Sequence, residues 1–264
     1  MIKGYSQPLS PLGLANLVKA PPWHYAGTVL AIDFWADPTQ AQAVMPPGMR
    51  ADPEGRATGF FIEWQATASS DQAYLDPVGS QYREFFVLLA ASLDGEAVAT
   101  CPYIFVDQDV SLVRGLIQGY PKVMGSIHLT RAFTVPSLAA PVVGPGGRFA
   151  GTLAAKDRRL AEGQVTLRET SEEGPRHTAF PIVNLRYFPR LEAGQHHNPA
   201  VYELLRQRWE NRTLSTIWQG DADLQFFGSP HHELAALTPV KVGHGYRYDM
   251  AITIQDAEVV RKFN

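Results

Sequence analysis

The sequence predicts an α+β fold, mostly antiparallel β, on three observations. Chain breaks are dense, with 22 Gly and 20 Pro spread over 264 residues. The segments between them are short and rich in β-branched and aromatic residues, which fit a pleated, half-buried surface. Most of these segments also follow one another directly, without the regular intervening helices of a parallel βαβ array.

Strands are expected at Gly27 to Trp35, Gly59 to Ala66, Glu84 to Ala91, Ala97 to Val106 and Ser126 to Phe133. Further strands are expected at Gln164 to Arg168, Phe180 to Tyr187, Leu214 to Gly220 and Gly245 to Ile254. Three helices interrupt them. The first opens at Asp37-Pro38, a capping carboxylate followed by proline at the first helical position, and stops before Pro46-Pro47. The second runs from Asp109 to about Gln118, with Val110, Val113, Leu116 and Ile117 on its apolar face and Gly119 as terminator. The third begins at Asn198-Pro199 and carries Val201, Leu204, Leu205 and Arg208 at helical spacing. The best linker candidates are Pro136 to Gly147 and Thr170 to Pro175. Neither divides regions of different composition and no internal repeat is present, so residues 1–264 are expected to form a single domain.

Composition narrows the function classes. With 45% hydrophobic and 19% charged residues, the chain has the means to bury a sizeable core. A formal net charge of -3 gives no electrostatic reason to expect nucleic acid or an anionic membrane as partner. One cysteine, Cys101, excludes an intramolecular disulfide and argues against a cysteine zinc site. It lies in the apolar run from Ala97 to Val106, as a buried, inert thiol would. No apolar stretch approaches the ~20 residues of a membrane-spanning helix. The N-terminus lacks the basic-then-apolar order of a secretory signal, so a cytoplasmic protein is expected.

Several motifs are discounted on spacing. Gly144-Pro145-Gly146-Gly147-Arg148-Phe149-Ala150-Gly151 fits neither nucleotide-binding glycine loop, and its proline removes an amide donor, so it reads as a turn between strands. In the doublets His196-His197 and His231-His232, adjacent strand residues point to opposite faces. Each doublet could offer one ligand to a shared metal, and no metal site is expected. No G-x-S-x-G elbow frames a nucleophilic serine.

Lys122 stands apart. The chain has six lysines, and this one sits between a helix stop and an apolar strand, hemmed by Tyr120, Pro121, Val123 and Met124. Removal from water disfavours an ammonium, lowers its pKa and makes the amine a usable nucleophile. The C-terminal dipole of the preceding helix would work against this by roughly 0.3–1 kcal/mol. On the residues alone, Lys122 is either such a nucleophile or a lysine reaching from a strand end to water. Glu84, just ahead of the apolar run from Phe85 to Leu89, is its natural partner if it faces the core. Otherwise it is a strand-edge glutamate paired to Arg83 or solvated.

Tyr120-Pro121-Lys122 and Tyr82-Arg83-Glu84 together resemble motifs of the acetoacetate decarboxylase superfamily, with supporting similarity nearly end to end. It includes Asp37 to Pro47, Phe105-Val106-Asp107, Pro181 to Pro189, Trp218 to Phe226 and Leu237 to Lys241. The resemblance implies an antiparallel, β-rich cone or barrel with flanking helices, and a homo-oligomer. It implies a Schiff base on Lys122 with Glu84 moving protons or orienting substrate, and a small keto acid as partner held by Tyr82, Arg114, Gln118 and Tyr120. No metal and no organic cofactor are implied, because the lysine imine is itself the electron sink. Acetoacetate decarboxylase is itself the standard example of a lysine activated by desolvation or by a cationic neighbour.

The chain departs from its family at two positions. Val123 stands where the decarboxylases carry a second lysine, so a lysine restored there is expected to lower the pKa of Lys122. Gly27 aligns loosely with an arginine that the decarboxylases place ahead of the first helix, and Arg114 is the candidate to replace it. Decarboxylation of an acetoacetate-like β-keto acid is the first functional expectation. An aldolase–dehydratase joining pyruvate to an aldehyde through the same imine is the second, and a non-catalytic keto-acid binding protein the third.

Overall fold

The computed structural model describes residues 1–68, 72–175 and 179–263. In chain order its elements are β1 (Trp23–Trp35), α1 (Pro38–Ala43), β2 (Met49–Ala51), β3 (Arg56–Ala68), α2 (Pro77–Ser80), β4 (Gln81–Leu93), β5 (Glu96–Val106) and α3 (Asp109–Ile117). There follow β6 (Lys122–Met124), β7 (Ser126–Leu129), β8 (Arg148–Ala155), β9 (Arg158–Ser171), β10 (Val183–Phe188), β11 (Val201–Leu214), β12 (Ile217–Phe226) and β13 (Lys241–Lys262). The strands form one sheet in the order β6-β5-β4-β3-β1-β13-β12-β9-β8-β7, with β2 on β4 and with β11 joining β10 to β13. No helix among the described residues is long and apolar enough to cross a membrane.

The sheet curls until its last strand, β7, packs over β3, β4 and β5. Side chains alternate between its two faces, and each face has its own core. One contains Leu30, Ile32, Phe61, Phe85, Phe105, Ile127, Phe149 and Val165 and is enclosed by the curl. The other contains Val29, Phe60, Ile62, Trp64, Tyr82, Ile104, Tyr248 and Ile252, and α3 packs on it through Val110, Leu112 and Val113. This is the expected β-rich cone or barrel with flanking helices.

The neighbours of α3 position the site. β5, α3 and β6 form a crossover unit, and β5–β6 is the one parallel pair of strands among the described residues. The helix ends in a Schellman cap: Gly119 N–H donates to the Leu116 carbonyl (3.2 Å) and Tyr120 N–H to the Gly115 carbonyl (2.9 Å), with Gly119 at φ 82°. Two side chains tie this end to the sheet. Arg186 Nη1 of β10 donates to the Ile117 carbonyl (3.2 Å), and Gln207 Nε2 of β11 donates to the Gln118 carbonyl (2.8 Å).

At α1 the expected cap is in place, since Asp37 Oδ1 accepts from Thr39 N–H (2.9 Å) and Gln40 N–H (3.1 Å). The glycine-rich stretch from Gly144 is a turn, with Gly147 N–H donating to the Gly144 carbonyl (3.0 Å) before β8 begins. The third expected helix is corrected: Val201 to Leu214 is a strand, paired with β10 on one side and β13 on the other. Val201, Leu204, Leu205 and Arg208 fit a helical stripe, but the backbone hydrogen bonds come from segments distant in sequence. The expected strand from Leu214 to Gly220 is two strands, β11 ending at Leu214 and β12 beginning at Ile217. β8 and the C-terminal half of β13 were not expected.

The left-handed backbone at Gly119 favours glycine. Gly119→Ala is expected to cost on the order of 1 kcal/mol, lowering Tm by roughly 2–4 °C. An unchanged Tm in a thermal melt would show that the cap contributes nothing.

Candidate active site

Register alone brings the predicted residues to one face. Lys122 lies opposite Ile104, and Ile104 lies opposite Phe86. Glu84 and Tyr82 follow Phe86 at two-residue steps along β4, opposite Ile62 and Trp64 of β3. Opposed residues and those two apart share a face, so all of these point towards α3.

The Lys122 ammonium nitrogen donates to Glu84 Oε2 at 2.6 Å and to Ser111 Oγ at 2.9 Å. Side-chain exposures are 7% for Lys122 and 8% for Glu84, so the pair is out of bulk water. The other carboxylate oxygen of Glu84 accepts from Trp64 Nε1 at 3.2 Å. Nζ also lies 5.5 Å from the centroid of the Tyr82 ring. Glu84 is therefore a core-facing partner and not a solvated strand edge.

The lysine reaches this position because α3 has no side chain at Gly115. A Cβ there would lie 2.2 Å from Lys122 Cδ and 2.5 Å from Cε. The side chain runs back along the helix to Ser111 in its first turn. This reverses the expected dipole effect: the amine sits towards the positive N-terminal end, where a cation is disfavoured. The buried side of α3 also differs from the expected one. Ser111, Arg114 and Gly115 are buried whereas Leu116 is exposed, and with Gln118 they form a polar and small stripe spaced i, i+3, i+4, i+7.

Arg114 is 7% exposed, its guanidinium 5.0 Å from the Tyr25 ring centroid and 5.7 Å from that of Tyr82. Its charge acts on both phenols, opposing the effect of burial on them. It stands behind these rings, lining a neighbouring cleft with Trp23 and Val110 rather than the space over Lys122. Gln118 and Tyr120 do line that space, and Gln118 Nε2 donates to the Arg114 carbonyl (3.3 Å). Burial pushes the Tyr25, Tyr82 and Tyr120 phenols up, so they stay neutral donors. Burial likewise holds the Cys101 thiol well above its usual range, as an inert cysteine requires.

Desolvation lowers the pKa of Lys122; the charge and hydrogen bond of Glu84 oppose the shift, and the positive charge of Arg114 adds to it. Arg114 is thus a cationic group whose charge acts on Lys122 in the same direction as burial.

The cavity over Lys122 measures ≈ 60 Å³ and is walled by Tyr25, Trp64, Tyr82, Phe86, Tyr120, Trp209, Met250, Ile252 and Ile254. Its lining is mostly apolar and aromatic with a few convergent polar groups, the composition of small-molecule sites. A cleft of ≈ 710 Å³ around Gly27, Gln81 and Ser215 is larger but contains neither lysine nor cysteine. Trp64 separates the two. A Cβ on Gly27 would lie 2.5 Å from Trp64 Cε3, so the indole occupies the space that an arginine at 27 would enter.

Val123 corrects a second expectation. It lies opposite Phe105 on the enclosed face, is 37% exposed, and lines a separate cleft with Pro230, His231 and His232. A side chain there points away from the amine, so it neither supplies nor withholds a charge beside Lys122. Trp64, Tyr25, Ser111 and Gly115 are the site residues that sequence reasoning did not single out. The polar stripe on α3 was the available signal for the last two.

Two consequences are testable. Gly115→Ala should improve helix propensity by roughly 1 kcal/mol yet displace Lys122 from Glu84 and Ser111, lowering activity by about 10². A folded variant with normal turnover would show that Lys122 works from another position. Val123→Lys should leave the acid limb of the kcat/KM profile where it is; a limb displaced to lower pH would place residue 123 beside the amine.

Comparison with known proteins agrees with this fold. MppR, an enduracididine biosynthesis enzyme, is 33% identical and superposes with a TM-score of 0.93 when complexed with the condensation product of pyruvate and imidazole 4-carboxaldehyde. That match covers 100% of this chain and 98% of MppR. In its pyruvate complex the figures are 32%, a TM-score of 0.92 and full coverage of both chains. An acetoacetate decarboxylase-like enzyme from Sphingomonas wittichii RW1 shares the fold, with 22% identity, a TM-score of 0.91 and coverage of 99% of this chain and 100% of that one. No curated protein matches. Residues 6–263 match the family described as acetoacetate decarboxylase (ADC), and the chain therefore belongs to that family and is a lyase-type enzyme.

Proposed function

We propose that this enzyme condenses pyruvate with an aldehyde through an imine on Lys122 and then eliminates water. The observation that carries the reading is the buried Lys122–Glu84 pair, set in a cavity walled by aromatic rings. Two further points support condensation over decarboxylation. Trp64 fills the space that an arginine at 27 would enter. MppR, at 32–33% identity over the whole chain, has been captured with pyruvate and with a pyruvate–aldehyde condensation product. The catalytic unit in this reading is one domain, residues 1–264, because β1, β3, β4 and β5 contribute to both cores.

The chemistry follows from the geometry. Neutral Lys122 adds to the keto carbon of pyruvate; the carbinolamine loses water and leaves an iminium. Glu84, within 2.6 Å of the amine, takes a proton from the adjacent methyl carbon, and the electron pair of that C–H bond enters the iminium to give an enamine. The enamine carbon attacks the aldehyde carbon, whose oxygen gains a proton. Loss of a second proton from the same carbon expels that oxygen as water, and hydrolysis returns the amine with an unsaturated keto acid. The same iminium could accept the electron pair of a departing carboxylate, and the assay below separates the two reactions.

Borohydride should trap one pyruvyl adduct on Lys122, and none in Lys122→Ala. Pyruvate with an aromatic aldehyde should give a conjugated, ultraviolet-absorbing product, whereas acetoacetate should release little carbon dioxide. The reverse pattern would make the enzyme a decarboxylase, and an unmodified mass would remove the Schiff base altogether. Glu84→Gln should slow turnover by roughly 10²–10⁴. Because Glu84 raises the Lys122 pKa, its loss should move the acid limb of kcat/KM to lower pH. A limb that moves to higher pH would contradict this electrostatic account.

A further inference from the structure

One hydrogen-bond donor of the cavity lining is used neither by the lysine chemistry nor by the fold. Trp209 lines the cavity, and its indole Nε1 is buried without a hydrogen-bond partner among the described residues. Buried indole N–H groups in native structures are ordinarily paired, so an orphan donor on a residue that lines a ligand cavity is a candidate to meet a ligand. Both oxygens of Glu84 are occupied by Lys122 and Trp64; Gln118 Oε1 is also unpaired, but as an acceptor, which leaves Trp209 Nε1 the unpaired donor of the lining among the described residues.

The position of Trp209 says which part of a substrate it would meet. It lies on β11 opposite Ile254 of β13 and two residues beyond Gln207 on the same strand face. Gln207 reaches the Gln118 carbonyl at 2.8 Å, and Gln118 lines the cavity beside Lys122. One pleat repeat along β11, about 7 Å, carries Trp209 past that contact. The flanking walls are Met250, Ile252 and Ile254, with no charged side chain among them. A keto acid bound as the Lys122 imine would sit at the Glu84 side of the cavity and leave the indole N–H to whatever extends away from it.

We propose that Trp209 is the specificity-determining residue for the second substrate. Its indole N–H donates to an acceptor atom remote from the reacting carbonyl of a planar aldehyde, held between apolar walls. The substrate class is thus a ring aldehyde with a neutral nitrogen or oxygen acceptor on the edge opposite the aldehyde group. The assignment rests on the condensation reading and adds to it which aldehydes are selected.

The test compares benzaldehyde with pyridine-4-carboxaldehyde, matched in size and differing in one ring acceptor, each with saturating pyruvate. In the native enzyme KM for the pyridine aldehyde should be lower by roughly three- to tenfold, as expected for one neutral hydrogen bond. In Trp209→Phe the two KM values should converge, while in Trp209→His, which retains an N–H donor, part of the difference should return. Borohydride trapping with pyruvate checks that the Lys122 site of each variant is assembled. Equal KM values for the two aldehydes in the native enzyme overturn the proposal even if no variant folds. An undiminished preference in a folded Trp209→Phe overturns it as well. Absence of conjugated product from either aldehyde defeats the condensation reading itself, and the Trp209 assignment falls with it. Product from both at equal KM defeats the assignment alone.

Discussion

The site depends on holding one amine out of water without locking it as an ammonium. Burial disfavours the charged form of Lys122, and the carboxylate of Glu84 at 2.6 Å favours it. A buried ion pair contributes little net stability, because desolvation of both charges offsets their attraction. Its value lies in the balance. Arg114, behind the tyrosine rings, and the first turn of α3 add to the burial effect, and the resultant is a lysine with a lowered pKa. Each charged partner has a second hydrogen bond that fixes its orientation, Ser111 for the amine and Trp64 for the carboxylate. The helix has to lie flat on the lysine for this to work, which requires Gly115 and the ties from Arg186 and Gln207 that fix its end.

The two faces of the sheet separate chemistry from packing. Alternation along β6 sends Lys122 to the face covered by α3 and Val123 to the enclosed side, one residue apart. The same alternation explains why a glycine at 27 and a tryptophan at 64 belong together. They are directly opposed on β1 and β3, with side-chain directions towards the cavity, so only one of them can be large.

This arrangement also explains what the sequence could and could not reveal. Lys122 was legible because apolar neighbours and a helix stop surround it, which are local features. The core-facing state of Glu84 was not, since the two oxygens are held by Lys122 and Trp64, 38 and 20 residues away. On α3 the Val and Leu spacing drew attention to one side, while the stripe of Ser111, Arg114, Gly115 and Gln118 carries the site. Polar residues at helical spacing read as solvent-facing until a buried partner is known. β11 was mistaken for a helix for a related reason. Its apolar residues satisfy both periods over a short window, and the choice is made by β10 and β13, which no local pattern announces. The direction of position 123 follows from register and was equally out of reach.

The proton inventory favours a reaction that needs a base. In decarboxylation the electron pair entering the iminium comes from a carbon–carbon bond, and no base is required to form the enamine. In condensation it comes from a carbon–hydrogen bond, so a carboxylate has to stand beside the imine. In the condensation proposed above, Glu84 is that carboxylate once its salt-bridge partner has become an imine. Trp64 continues to donate to Oε1, which stabilises the carboxylate and leaves Oε2 facing the carbon next to the former amine. The tryptophan that excludes an arginine at 27 therefore also orients Glu84, and a single large side chain accounts for both the missing cation and the oriented carboxylate.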